Sequence, residues 1–249
     1  MNEENVFGID IGGTGIKGAI VNVTTGELVT ERNKLLTPKP AVPGAIAETC
    51  VELLKQSNWS GPIGCGFPSI VKNGVLLSAA NIDESNIGVN FRQLLEEKSG
   101  CPVTLVNDAD AAGYAEMKFG AGKGKMGLVI LITIGSGLGS AMFYNGVLIP
   151  NSELGHIYLK DKEAEKYASN LARKKFDLSW KQWGKRFSLY LNHINRIFSP
   201  DLIILGGGVS KEYEIFKKFL KIDAVEVLPA KMQNAAGTIG AALSVKGLH

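Results

Sequence analysis

Phe7-Gly8-Ile9-Asp10-Ile11-Gly12-Gly13-Thr14-Gly15-Ile16-Lys17-Gly18-Ala19-Ile20-Val21 runs from apolar residues through a cluster of small ones and back into apolar residues. Val129-Ile130-Leu131-Ile132-Thr133-Ile134-Gly135-Ser136-Gly137-Leu138-Gly139-Ser140-Ala141-Met142-Phe143 repeats that design about half a chain later. Aligning Asp10 with Thr133 puts Gly12 on Gly135 and Gly13 on Ser136. Two such elements predict two related half-folds facing one cleft, an arrangement that suits a phosphate held between two domains.

The first stretch also contains Gly13-Thr14-Gly15-Ile16-Lys17-Gly18, which satisfies GxGxxG, and Glu31 lies near the acidic position of a dinucleotide-binding unit. That fingerprint needs a helix after the glycines, because the helix N-terminus carries the pyrophosphate. Residues 19–23 alternate and are β-branched, which predicts a strand instead. A strand-glycine-strand hairpin still lets backbone N–H groups approach phosphate oxygens with no Cβ in the way. Asp10, just before the turn, suits a hydrated magnesium ion, and the Thr133 and Ser136 hydroxyls suit phosphate oxygens. One such loop alone reads as an ordinary tight turn; a matched pair favours phosphate binding.

Working outward, residues 6–32 read as three strands joined by tight turns, with Thr24-Thr25-Gly26 as one of them. Residues 44–57 and 91–99 have helical spacing, 63–68 and 103–106 read as buried strands, and 109–119 as a helix. In the second half, strands flank the Thr133 glycines, Asn145-Gly146 marks a turn, 163–175 and 179–198 read as helices, and 202–205 is a strand entering Gly206-Gly207-Gly208. Small residues 237–245 form a closing helix. Strands followed by helices in two rounds argue for α/β with mixed sheets.

The 249 residues suffice for one large domain or two small ones, and 45% hydrophobic with 20% charged residues is ordinary for a globular protein. A net charge of +3 does not argue for nucleic acid. Cys50, Cys65 and Cys101 are far apart and form no CxxC, so a zinc site is not expected, and a sparse odd count without a signal peptide fits the cytoplasm. No apolar run is long enough to span a bilayer.

Asn107-Asp108-Ala109-Asp110 follows one strand and opens a helix. Helix capping explains Asn107 or Asp110. A carboxylate at the carboxyl end of a buried strand, where α/β folds gather ligands, also suits proton acceptance from a substrate hydroxyl. Glu153-Leu154-Gly155-His156 offers a carboxylate and an imidazole three residues apart, too few ligands for a catalytic metal but suited to neighbouring sugar hydroxyls, as is Asn81.

Taken together, these residues resemble the ROK family of sugar kinases and repressors, with most likeness to its polyphosphate glucokinase branch. The markers, in order, are Asp10 to Lys17, Gly66-Phe67-Pro68, Asn107 to Asp110, Gly135 to Gly139, Glu153 to His156, Leu178-Ser179-Trp180-Lys181-Gln182-Trp183 and Ser199 to Val209. The resemblance implies an actin-like (ribonuclease-H-like) fold of two α/β domains around a central cleft. The smaller would cover residues 1–107, joined by the closing helix at about 237–249, and the larger 108–236. It implies phosphoryl transfer from polyphosphate or ATP, with magnesium, to the 6-hydroxyl of glucose. Asp108 would be the base, and Asn81, Asn107, Glu153 and His156 would hold glucose. The Asp10 loop (Gly12, Gly13, Thr14, Lys17), the Thr133 loop (Gly135, Ser136, Gly137) and Gly207-Gly208 would hold or border the donor phosphates. A homodimer in the cytoplasm, with no nucleic-acid or membrane partner, is expected.

Departures bear on this. The chain lacks the cysteines of the zinc motif typical of the family, which is itself a trait of the polyphosphate branch. Asn86 stands where that branch usually has tryptophan. The chain opens in a strand, where repressors carry a helix-turn-helix. Nine Lys and Arg lie between Lys160 and Arg186. They read as solvated helix faces, or, with Lys123 and Lys125, as a positive track for a polyanionic donor. A strictly ATP-dependent hexose kinase and a non-catalytic sugar-binding regulator are the alternatives.

Overall fold

The computed structural model describes residues 4–79 and 82–247. In chain order it contains β1 (Asn5–Ile11), β2 (Gly15–Asn22), β3 (Asn33–Leu36), α1 (Pro43–Gln56), β4 (Ile63–Phe67), β5 (Val71–Lys72), β6 (Val75–Leu76), α2 (Phe91–Ser99), β7 (Val103–Asn107) and α3 (Asp108–Lys118). There follow β8 (Leu128–Ile134), β9 (Leu138–Tyr144), β10 (Val147–Ile149), β11 (Tyr158–Leu159), β12 (Lys162–Glu163), α4 (Ala164–Ala168), α5 (Asn170–Lys175) and α6 (Trp180–Phe198). The chain closes with β13 (Leu202–Gly206), α7 (Tyr213–Phe216), β14 (Glu226–Pro229) and α8 (Ala236–Ser244). Two compact units result. One runs to Ala115 and resumes at Ala235; the other is Glu116–Asn234.

The first unit is built on a sheet of order β3-β2-β1-β4-β7, antiparallel on the β2–β3 side and parallel from β1 to β7. Alternation along its central strands divides two faces. Phe7, Ile9 and Ile11 of β1, with Ile63, Cys65 and Phe67 of β4, enter a core shared with Ile46 and Leu53 of α1 and Phe91 and Leu95 of α2. The opposite face of the same strands presents Gly8, Gly64 and Gly66, and α8 lies directly on it. A Cβ on Gly8 or Gly64 would overlap the carbonyl oxygens of Thr238 or Ala241, and one on Gly240 would overlap Ala111 of α3. Helix ends follow local chemistry. Pro43 opens α1, and the Asn90 side chain accepts the Gln93 N–H to start α2, which ends at left-handed Gly100.

The second unit repeats the topology with order β10-β9-β8-β13-β14. Its core joins Ile130, Ile132 and Ile134 of β8 to Trp183, Phe187, Tyr190, Leu191 and Ile194, one helical stripe of α6. Ser179 and Gln182 form a reciprocal capping box at the start of α6.

Three local expectations change. The third strand is β3; residues 27–32 make only a bridge between Leu28 and Val21, because the Thr30 hydroxyl, not a backbone carbonyl, accepts the Ile20 N–H at 3.1 Å. The helix expected over 163–175 is two, since the Ser169 hydroxyl caps a new start by accepting the Ala172 N–H at 3.1 Å. The Asn145-Gly146 turn, both residues at positive φ, leads into an additional strand, β10.

Because α8 contacts β4 backbone to backbone, Gly64→Ala is expected to destabilise the protein by about 3 kcal/mol, at the upper end of overpacking costs. The midpoint of urea unfolding measures this, and an unchanged midpoint would contradict the packing described.

Candidate active site

Asp10 and Thr133 occupy equivalent positions, each the sixth residue of a seven-residue strand that enters a glycine turn. In the first unit the turn closes with the Gly12 N–H donating to the Gly15 carbonyl at 3.1 Å, and the Thr37 hydroxyl donates to the Gly12 carbonyl. Gly12 and Gly13 are half-buried and Thr14 is exposed. β2 continues straight from Gly15, so the GxGxxG match is a hairpin and the dinucleotide reading falls.

Lys17 faces Asp10 across the hairpin, with Nζ 2.8 Å from Asp10 Oδ2. Gly237, in the first turn of α8, lies against the same carboxylate, where a Cβ would press on it. Asp10 offers a single hard oxygen ligand with one oxygen engaged by lysine. That donor set fits magnesium that keeps most of its waters and is held chiefly through substrate phosphates.

The registers carry the site across the sheet. Asp10 pairs with Gly66 of β4, Gly66 with Val106 of β7, and Phe67 with Asn107. Asp10 and Asp108 therefore lie at the same carboxyl edge of three parallel strands, two strand spacings apart, about 10 Å. Glycine at 66 admits the backbone of Asp108, whose Cα would lie 3.6 Å from a Cβ there.

Asn107 is buried and serves as the N-cap of α3. Its Oδ1 accepts the N–H groups of Ala109 at 2.8 Å and Asp110 at 3.1 Å, and its Nδ2 donates to the Ser69 carbonyl at 3.1 Å. Asp108 is half-buried; its Oδ1 accepts the Ala109 N–H at 2.8 Å, at the N-terminus of α3. Asn81 lies outside the described residues. Asn86 is fully buried, and its Nδ2 donates to the carbonyls of Ala41 and Asp83 at 2.8 and 2.7 Å, so it clips two loops together.

In the second unit, Thr133 pairs with Gly206 of parallel β13, which brings Gly207 and Gly208 beside the Gly135–Gly137 turn. Gly207 has φ +76°, and a Cβ there would strike the Ile134 backbone. The segment carrying Glu153 and His156 is fastened to β9. The buried Ser140 hydroxyl donates to the Ser152 carbonyl at 2.6 Å and accepts the Leu154 N–H at 2.9 Å. Glu153 and His156 thus stand next to the strand that leaves the glycine turn.

Two further carboxylates, Glu163 and Glu165, join them. His156 Nε2 lies 3.8 Å from Glu153 Oε2, and His156 Nδ1 lies 3.5 Å from Glu163 Oε1. His156, Glu163 and Glu165 each bring a ligand atom within 4.8 Å of the others. Lys166, 2.6 Å from Glu163, makes this an ion-pair network and holds the Glu163 carboxyl below the usual range. Glu165 Oε2 accepts the Leu138 N–H at 3.4 Å, tying the network to the glycine turn. The tight β11–β12 hairpin returns Glu163 to His156, and its turn uses Lys160 at positive φ rather than glycine or asparagine, so no turn signal announced it. Burial pushes the Cys50 thiol up to about 12 and Cys65 well above the usual range, so neither supplies a thiolate nucleophile.

The model of the ROK family matches residues 6–170. A polyphosphate glucokinase of Mycobacterium tuberculosis (strain CDC 1551 / Oshkosh) is 46% identical over 239 residues, 96% of this chain and 90% of that protein. The crystal structure of an inorganic polyphosphate/ATP-glucomannokinase from Arthrobacter sp. strain KM is 41% identical, with a TM-score of 0.94 over 98% of this chain and 99% of that one. A ROK family glucokinase from Streptomyces griseus, solved with glucose and AMPPNP, has a TM-score of 0.81 over 96% and 98% of the two chains; at 24% identity it speaks to the fold alone. The fold is actin-like, with two α/β units.

Burial raises the Glu153 carboxyl above its ordinary value, with Glu165 adding to the rise and His156 opposing it. A raised carboxyl favours the folded state below the unfolded pKa, and that contribution is lost as pH rises through the folded pKa. Glu153→Gln is therefore expected to gain stability relative to the parent at pH 7 and to lose that advantage as pH falls toward 4. Paired melting curves at the two pH values check this; an advantage that grows in acid would reverse the assignment.

Proposed function

The chain belongs to the ROK family, and on that premise we propose that it is a glucokinase transferring a phosphoryl group from inorganic polyphosphate, and also from ATP, to the 6-hydroxyl of glucose. One observation carries the reading. Asp10 at a glycine turn and Asp108 at a helix N-terminus share one sheet edge, and the second unit repeats the glycine turn at the matching place. Similarity to the mycobacterial and Arthrobacter enzymes along nearly the whole chain supports the donor and the sugar.

In this reading Asp108 accepts the proton of the sugar hydroxyl. A carboxylate beside a helix N-terminus is a weak base, so its value lies in orienting the hydroxyl for in-line attack more than in driving proton transfer. Asn107 holds Asp108 in place by capping α3, and its remaining amide N–H faces the sugar. Glu153 accepts from neighbouring sugar hydroxyls and His156 donates or accepts, with Asn81 completing the set. In the first unit the backbone N–H groups around Gly12, Gly13 and Thr14, with Lys17, hold donor phosphates. In the second unit Thr133, Gly135, Ser136 and Gly137 do so, and Gly207 and Gly208 border the nucleotide or distal phosphates. Magnesium held through water by Asp10 supplies charge neutralisation of the donor phosphates when bound.

The same reading takes residues 1–107 with 237–249 as one catalytic domain and 108–236 as the other, in a cytoplasmic homodimer without nucleic-acid or membrane partners. The buried free thiols Cys50, Cys65 and Cys101 suit a reducing compartment.

The test is glucose 6-phosphate formation with magnesium and a single donor, either polyphosphate or ATP. Product is expected with each; product with ATP alone would remove polyphosphate from the assignment. Asp108→Asn is expected to lower turnover by about 10²–10⁴-fold with the melting temperature preserved. Near-normal turnover in that variant would take the base role from Asp108.

A further inference from the structure

The positive charge of this chain is concentrated in one segment. Residues 160–186 hold nine Lys and Arg against four Asp and Glu, whereas the whole chain holds 27 against 24, so the remainder is net negative. Among the described residues only Lys166 of these nine has a carboxylate partner within salt-bridge distance. Ordinary solvated helix faces intersperse and pair their charges.

Two arginines of the segment are held by aromatic rings instead. The Arg173 guanidinium lies 4.1 Å from the Trp180 ring centre. Arg186 lies 4.7 Å from the Tyr167 ring and 5.1 Å from the Phe176 ring, and Lys160 Nζ approaches the Tyr167 ring at 5.3 Å. Arg173 donates from Nε to Asn170 Oδ1 at 3.2 Å and from Nη1 to the Leu178 carbonyl at 3.5 Å. Arg186 Nη1 donates to the Tyr167 carbonyl at 3.5 Å. All these acceptors are neutral, so both guanidinium groups keep full charge and most of their five N–H donors, already oriented by stacking. A fixed fork of this kind matches phosphate oxygens at reduced entropic cost.

The platform is connected to the phosphate turn. The Asn170 that receives the Arg173 Nε–H donates its own backbone N–H to the Gly135 carbonyl at 3.1 Å. Beyond Arg173, Lys181 and Lys185 stand one helical turn apart on the exposed side of α6, the helix that carries Arg186.

We infer that the face formed by Arg173, Arg186, Lys160, Lys181 and Lys185 binds the distal phosphates of a linear inorganic polyphosphate chain whose reacting end lies at the Thr133–Gly137 turn. This rests on the kinase reading above and adds to it the surface that holds a long donor. A repeating chain of phosphates needs successive cations leading away from the site of transfer, whereas ATP needs none beyond its own three phosphates. Charge-assisted contacts of this kind weaken with salt in proportion to the number made.

The experiment compares the parent protein with Arg173→Gln/Arg186→Gln and with Lys181→Gln/Lys185→Gln, the second pair being exposed and safe for folding. The Michaelis constants for long-chain polyphosphate and for ATP are measured at two salt concentrations. In each variant the ratio of the polyphosphate constant to the ATP constant is expected to rise, by about tenfold or more for the arginine pair, as the loss of two charge-assisted contacts implies, with a shallower salt dependence for polyphosphate. An unchanged ratio in both variants, with the parent turning over polyphosphate, overturns the track and leaves the kinase reading intact. A parent that uses ATP and ignores polyphosphate overturns the track together with the donor assignment. Competition for retained polyphosphate by a single-stranded oligonucleotide of equal charge, as effective as polyphosphate itself, also overturns it in favour of a general polyanion surface.

Discussion

The placement of the first unit's chemistry depends on a helix lying on a sheet with no side chain between them. Gly8 and Gly64 remove the Cβ atoms that would hold α8 away, and Gly240 does the same toward α3. Each contact is backbone against backbone, which leaves little room for adjustment. From it follow the position of Gly237 on the Asp10 carboxylate and of α3 beside β4, and hence of Asp108 two strand spacings from Asp10. Asp10 and Asp108 are separated by sheet spacing and helix seating, both of which are stiffer than loops.

The second unit reaches a comparable result with side chains. Ser140 holds the Glu153 segment to β9, Glu165 holds the start of β9, and the Asn170 N–H holds the Gly135 carbonyl. The glycine turn and the sugar candidates are thus fastened to the same short stretch of strand. Glu163 and Glu165 place negative charge around His156, and Lys166 offsets it on one side only. The face formed by α5 and α6 is by contrast cationic, so the unit is electrically divided.

The duplicated hairpins were legible because glycine clusters between β-branched runs have few other interpretations, and periodicity after Gly15 favoured a strand over the dinucleotide motif, which the β1–β2 hairpin then ruled out. Asp108 was legible from its place after a buried strand. Less visible were features made by side chains far apart in sequence. Glu163 reaches His156 through a hairpin whose turn residue, Lys160, carries no turn signature. Thr30 replaces a ladder carbonyl and so ends a strand that its neighbours favoured. Asn86, noted in sequence only as standing where the branch usually has tryptophan, is a buried clip to the carbonyls of Ala41 and Asp83, a role that only the tertiary fold reveals.

On the proposed kinase reading, the geometry around Asp108 constrains how the reaction would be accelerated. Its Oδ1 accepts the Ala109 N–H at the start of α3. A carboxylate fixed in this way would act chiefly by aligning the hydroxyl, with cations and N–H groups around the donor carrying charge stabilisation. Alignment in turn requires that α3 not move relative to β1, which is what the glycine contacts of α8 secure. On the proposed reading stability and turnover are coupled through the same backbone contacts: a Cβ at Gly8, Gly64 or Gly240, accommodated by shifting α8, would also shift the carboxylate proposed to meet the hydroxyl.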